Sequence, residues 1–222
     1  MTNNWKELYE NEVKLHYGTW ENYFAQKFKL KKPLIDLLLK NAGLSPDKPT
    51  IECGVGTGKL ASLIASKGFT SYGLDVDGEM LKHARAFSNS VTPDNPVKLI
   101  NADIRKLNFA DKYFSLAHSG GVLEHFPDDV IVQVLGEQIR VADNVVFAVP
   151  STYFLDDEKM NNERRIHKND WRKLIHESGG EIFSETGYHY RPFKSRMVEQ
   201  IKRPQKIFLP KANFVFEITG RS

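Results

Sequence analysis

The stretch Ile51-Glu52-Cys53-Gly54-Val55-Gly56-Thr57-Gly58-Lys59 decides how the chain is read. Thr50-Ile51 gives a short β-branched lead-in, and three glycines follow at alternate positions. Beyond them Leu60, Ala61, Leu63, Ile64 and Ala65 recur at helical spacing. The pattern predicts a strand, a tight turn and a helix start, an arrangement that leaves backbone N–H groups open to a ligand. Glycine adopts positive φ at little cost and lets another molecule come close to the main chain. The turn is therefore expected to hold a nucleoside cofactor.

Outward from this turn, strand and helix signals alternate, which implies a parallel sheet with right-handed crossovers. Strands are predicted at Thr50–Cys53, Ser71–Asp75, Val97–Asn101, Phe114–Ser119 and Asn144–Pro150. Helices are predicted between them, from Lys59 to Ser66, Gly78 to Phe87 and Val130 to Val141. A helix around Asn169–Ser178 and strands at Glu181–Tyr188 and Asn213–Thr219 complete the pattern. Upstream, Pro33 opens a helix that Gly43 ends. The first thirty residues are both aromatic and charged. Trp5, Leu8 and Tyr9, then Trp20, Tyr23, Phe24 and Phe28, fall at helical spacing, with Gly18 as a break. They read as two amphipathic helices packed on the domain, and equally as a lid over its ligand.

At 222 residues the chain suits one sizeable α/β domain. The expected division is an N-terminal helical lid over 1–32, a cofactor-binding core over 33–150, and an acceptor-side insert with closing strands over 151–222. No apolar run reaches the length of a membrane span, so no membrane insertion is expected. The N-terminus lacks the basic start and apolar centre of a secretory signal. Cys53 is the single cysteine, which excludes an internal disulfide and fits a cytoplasmic location. A net charge of +3 argues little for nucleic acid.

The turn discriminates among cofactors. A nucleotide P-loop needs G-x-x-x-x-G-K-[ST], but here Gly58 comes one residue too soon and Leu60 replaces the hydroxyl. The dinucleotide fingerprint would put its third glycine at Lys59. Glu52, two residues before the first glycine, would also repel a pyrophosphate. A cationic ligand would be favoured, and S-adenosylmethionine carries an ammonium and a sulfonium. Asp75 lies 23 residues after Glu52, about where an acid meets ribose hydroxyls in such folds. Asp103 ends the third strand and could accept from the adenine amino group, with Ile104 as an apolar wall.

On these residues the chain resembles the class I S-adenosylmethionine-dependent methyltransferases. The glycine motif is matched by Glu52 to Gly58, the ribose acid by Asp75 and the adenine acid by Asp103. The fourth motif resembles Ser119-Gly120-Gly121-Val122-Leu123-Glu124-His125-Phe126, and its Val-Leu-Glu-His-Phe stretch is similar to the small-molecule branch that includes quinone- and biotin-pathway enzymes. The resemblance implies a Rossmann-like α/β fold: a seven-stranded, mostly parallel sheet with the last strand antiparallel and helices on both faces. It further implies S-adenosylmethionine as donor, S-adenosylhomocysteine as product and no metal. The implied cofactor residues are Glu52, Gly54, Gly56, Gly58, Asp75, Val76, Asp103, Ile104, Ser119 and Gly120.

The acceptor is expected to be a small molecule attacked through oxygen, nitrogen or carbon. His125 is a candidate base, beside Glu124, and equally a helix-start residue that only packs or bonds backbone. A [DN]-P-P-[YFW] motif for base methylation is absent after the fourth strand, and Cys53 sits in the cofactor turn, away from any acceptor. Asp143-Asn144 precedes a strand, at the sheet end opposite the site. Arg164 and Arg165 could grip an anionic acceptor, and Tyr153 could wall it. The basic run from Lys194 to Lys211 is read as a solvated face. Its alternative is an RNA or protein methyltransferase using that segment, and a further alternative is a non-catalytic S-adenosylmethionine-binding protein. Oligomeric state is left open.

Overall fold

The computed structural model describes residues 5–23, 43–152, 162–188 and 213–220. The order of elements is α1 (Trp5–His16), β1 (Thr50–Cys53), α2 (Lys59–Ala65), β2 (Ser71–Asp75), α3 (Gly78–Val91), β3 (Lys98–Asn101), β4 (Phe114–Gly120), α4 (Asp128–Val141), β5 (Ala142–Pro150), α5 (Lys168–Glu177), β6 (Gly180–Tyr188) and β7 (Asn213–Gly220). The strands form a seven-stranded sheet in the order β3-β2-β1-β4-β5-β7-β6. β1 to β5 pair in parallel, and β7 enters antiparallel between β5 and β6. The expected Rossmann-like α/β architecture is borne out, including its antiparallel last strand.

Strand alternation divides the core between the two faces of the sheet. Ile51, Cys53, Leu74, Ala117, Val145 and Phe147 project toward α4 and α5, where Leu135, Trp171 and Ile175 cover them. Leu116, Val146, Ala148 and Val215 project the other way, onto Leu60, Leu63 and Ile64 of α2. β4 and β5 are buried on both faces, and β5 reads from Val145 to Pro150 as a continuous apolar run, as central parallel strands do.

Element boundaries differ from expectation in ways that local chemistry explains. α3 runs one turn past Phe87 to Val91 because the polar run Ser88-Asn89-Ser90 is not a solvent loop. Ser88 is buried, and its hydroxyl accepts the Val97 N–H at 2.8 Å, so that stretch is anchored as helix. α4 starts at Asp128, two residues early, because Pro127 precedes it and Asp128 and Asp129 favour a helix N-terminus. The expected break at Gly18 is present, with φ +75° and its N–H bonded to Val13 O. The expected helix over 33–42 lies outside the described residues.

Candidate active site

A cavity of about 620 Å³ opens at the C-terminal ends of β1, β2 and β3 and beside the turn after β4. This is the sheet edge at which open α/β folds bind ligands. Gly54 and Gly56 of the turn after β1, Asp75 and Val76 after β2, and Asp103 and Ile104 after β3 all line it. Gly121, Val122, His125 and Phe126 close a further side, and Tyr9 of α1 another.

The three turn glycines serve different ends. At Gly54 a Cβ would stand 2.7 Å from Val122 Cγ2, and at Gly58 it would stand 2.9 Å from Ala84 Cβ. Gly54 thus lets the loop after β4 close over the turn, while Gly58, the N-cap of α2, lets α2 pack on α3. Gly58 was expected at the cofactor; its close approach is to protein. Glu52 is likewise drawn inward. It is buried, and its Oε2 accepts the Ala61 N–H at 2.7 Å in the first turn of α2. The carboxylate was expected to meet the ligand's cation directly, but orphan helix N–H groups lie closer to it.

Asp75, expected to meet the ribose, lines the cavity. Its Oδ2 accepts the Gly56 N–H at 2.9 Å and its Oδ1 accepts the Asp77 N–H at 3.0 Å. A carboxylate offers about four acceptor sites, so these bonds orient the group and leave capacity for two hydroxyls. Burial raises its pKa from the ordinary carboxylate value, while the N–H groups of Asp77 and Gly56 oppose the rise. Asn101, at the end of β3, donates to Asp75 O at 2.9 Å and Val76 O at 3.0 Å, which fixes the loop that carries the acid. Val76 is 64% exposed, an apolar side chain facing the cavity, and Ile104 is a buried one. The two give the cavity apolar surface.

Asp103 reaches the cavity already paired. Arg105 donates to it from Nε at 2.9 Å and from Nη2 at 2.5 Å, and this pairing holds the carboxyl below the usual carboxylate range. Arg105 also lines the cavity and was not anticipated. Ser119 is buried beneath the site, while the residues after Gly120 form the wall.

The electrostatics favour a cation. Burial, then the charges of Glu12, Asp75, Glu52 and Glu124, push the Tyr9 hydroxyl above the ordinary phenol range. Four carboxylates therefore act on one point of the cavity wall, Glu52 among them although it does not line the cavity. Tyr9 is held by an edge-to-face contact with Tyr23, whose ring also meets those of Tyr17 and Trp20. Lys59 of α2 donates to the Tyr23 hydroxyl at 2.8 Å, and Trp20 stacks on His83 of α3 at 4.4 Å.

On the far side, His125 Nδ1 lies 2.9 Å from Asn162 Oδ1, and Asn162 Nδ2 donates to His125 O at 3.1 Å. Burial lowers the imidazole pKa, and the Asn162 bond opposes that. Glu124 is buried beside it. Of the residues expected to grip the acceptor, Arg164 donates to Phe126 O at 2.5 Å and to Asp128 at 2.7 Å, and Arg165 pairs with Glu163. Both guanidiniums are committed to the protein, and neither lines the cavity. Tyr153 and the basic run Lys194 to Lys211 lie outside the described residues. At the opposite sheet end Asp143 pairs with Lys48 at 2.6 Å. Among the described residues no group of three His, Cys, Asp or Glu side chains is placed to hold a metal ion.

Residues 51–144, which contain the turn, Asp75, Asp103 and His125, match the family model described as a methyltransferase domain. A search of curated proteins finds no match. Among solved structures, magnesium protoporphyrin IX methyltransferase (ChlM) from Synechocystis PCC 6803 with bound S-adenosylmethionine is similar at 15% identity, covering 92% of this chain and 85% of that one with a TM-score of 0.63. The [4+2]-cyclase SpnF aligns at 13% identity over 85% of this chain and 80% of that one, TM-score 0.65. The MccD protein aligns at 15% identity over 85% and 96%, TM-score 0.62. The chain thus shares its fold with these proteins.

Proposed function

We propose that this protein transfers a methyl group from S-adenosylmethionine to a small-molecule acceptor. The observation that carries the reading is Asp75, oriented by Gly56 and Asp77 at the mouth of an acid-rich cavity between Val76 and Ile104. The residues fit the donor. Asp75 would accept the ribose hydroxyls, Val76 and Ile104 would flank the adenine, and the amino-acid end would lie toward Gly54, Gly56 and Gly121. When bound, the donor supplies a methyl carbon made electrophilic by the adjacent sulfonium. The protein's own part is to align the acceptor, exclude water and receive a proton if the acceptor sheds one. The carboxylates acting on Tyr9 favour a cationic ligand and reject a pyrophosphate.

α1 brings Tyr9 against the turn, which supports reading the N-terminal segment as a lid over the cofactor. A small-molecule acceptor agrees with ChlM being a magnesium protoporphyrin IX methyltransferase and with the size of the cavity. A cytoplasmic location agrees with the buried free thiol of Cys53, and among the described residues no helix is long and apolar enough to cross a membrane. SpnF, named for a cyclisation, shares the fold, so the fold alone does not select the reaction. The test is calorimetry with S-adenosylmethionine and NAD, followed by S-adenosylhomocysteine release with a panel of acceptors. Micromolar NAD binding with none of S-adenosylmethionine overturns the donor; cofactor binding without turnover on any acceptor favours a binding protein.

A further inference from the structure

We propose that the acceptor reacts through a hydroxyl whose proton passes to Nε2 of His125, and that Asn162 is the positioning residue that makes Nε2 the base. The inference rests on the methyl-transfer reading above. Its ground is the paired contact between the two residues. Asn162 Nδ2 donates to the His125 carbonyl at 3.1 Å, which fixes the orientation of the amide because only its NH₂ can serve that oxygen. Its Oδ1 therefore faces Nδ1 at 2.9 Å. An amide oxygen has no proton to give, so Nδ1 carries the hydrogen. In the neutral ring the lone pair is then on Nε2. The imidazole lines the cavity, and burial keeps it neutral near physiological pH.

A base of this kind selects among acceptors. A neutral amine attacks through an existing lone pair and a carboxylate has no proton to lose, whereas a neutral hydroxyl builds positive charge on oxygen unless its proton leaves during attack. In the step the O–H bond breaks toward Nε2, the O–CH₃ bond forms and the C–S bond breaks. The electron pair goes to sulfur, leaving a neutral thioether and an imidazolium. A carboxylate acceptor is further disfavoured by Asp75, Asp77 and Asp103 along the cavity, where Arg105 is already bonded to Asp103. Among the described residues, the charged and titratable groups near His125 include Glu124 in the same turn, Arg164 with its partner Asp128, and the Tyr9 hydroxyl. The Arg164–Asp128 pair is internally neutral, and the acids favour an imidazolium once it forms.

The test reads the tautomer directly. Long-range proton–nitrogen spectra of the full chain labelled with ¹⁵N-histidine are expected to show His125 with its hydrogen on Nδ1. Asn162→Ala is expected to mix or invert the tautomers. Asn162→Asp, which keeps an acceptor and adds a charge, is expected to hold the Nδ1–H form and raise the imidazole pKa. A wild-type ring protonated on Nε2, or an unchanged Asn162→Ala spectrum, overturns the positioning role. Calorimetry with S-adenosylmethionine separates this from the donor reading, since Asn162→Ala leaves donor affinity intact. With carbon-skeleton-matched phenols, alcohols, benzoates and benzylamines, methyl transfer is expected on the hydroxyl compounds. There His125→Gln should lower kcat about a hundredfold or more, and the acidic limb of the pH profile should move to higher pH in Asn162→Asp. Transfer confined to benzoates or benzylamines overturns the hydroxyl assignment.

Discussion

The Asp75 carboxylate accepts the backbone N–H of Gly56 across 2.9 Å, tying the end of β2 to the turn after β1. One acid thereby shapes the glycine turn and presents acceptor capacity to a ligand, so its removal has two consequences. Asp75→Ala is expected to lose the charge-assisted bonds, each worth about 1.5–3 kcal/mol, and with them roughly ten- to hundredfold in donor affinity. Calorimetry with S-adenosylhomocysteine checks this, and unchanged affinity would mean that the ribose lies elsewhere.

Gly54→Ala places a methyl 2.7 Å from Val122 Cγ2 at a residue with φ +74°. Overpacking and the left-handed backbone together are expected to cost about 2–4 kcal/mol. Thermal unfolding should show the loss. Adding Val122→Ala should restore the packing part and leave the backbone part, so a double variant as unstable as the single one contradicts the contact.

His118 lies in register with Glu52 on one side and Val146 on the other, and Val146 with Glu217. The row faces α2. Both ring nitrogens of His118 and both carboxylate oxygens of Glu217 are buried and, among the described residues, have no hydrogen-bond partner. Burial lowers the His118 pKa from 6.5 to about 3. The folded state therefore resists a proton that the unfolded chain takes up. Stability is fully present above about pH 6.5 and falls as pH drops toward 3, by about 1.4 kcal/mol per unit from this group. His118→Leu is expected to flatten the acid limb in denaturant titrations between pH 6 and pH 4. An unchanged limb would assign the acid sensitivity to other groups.

Lys59 joins the first turn of α2 to the Tyr23 hydroxyl, so the N-terminal aromatic cluster is fastened to the cofactor turn. Tyr23→Phe removes this bond and keeps the ring contacts. One such bond is worth about 0.5–1.5 kcal/mol net, so amide exchange in α1 is expected to quicken by up to about tenfold with little change in global melting. Hydrogen exchange by mass spectrometry reads it; equal protection in both proteins would show that ring packing alone holds the segment.

The order of elements was legible in the sequence because it rests on local periodicity, whereas the antiparallel closing strand was expected only from the family resemblance. Alternating apolar residues set the strands, and the glycine turn with Asp75 and Asp103 marks three successive strand ends. Arg105 stands two residues from Asp103, yet its ion pair depends on side-chain direction that no spacing encodes. Tyr9 was visible only as one aromatic among several, because its neighbours in the cavity come from residues more than forty positions away. Arg164 showed as a charge and could not show that Phe126 O and Asp128 had claimed it.

The sequence by itself thus determined the fold. Tertiary structure alone decided how the individual groups are used. Glu52 turns inward to a helix N-terminus because unsatisfied N–H groups lie nearer than the cavity. Asn162, 37 residues beyond His125 with no motif to announce it, pairs with the imidazole Nδ1 and with the His125 carbonyl. Hydrogen-bond satisfaction in a buried site is settled by distances in space, and distant stretches of chain meet there only after the sheet has formed.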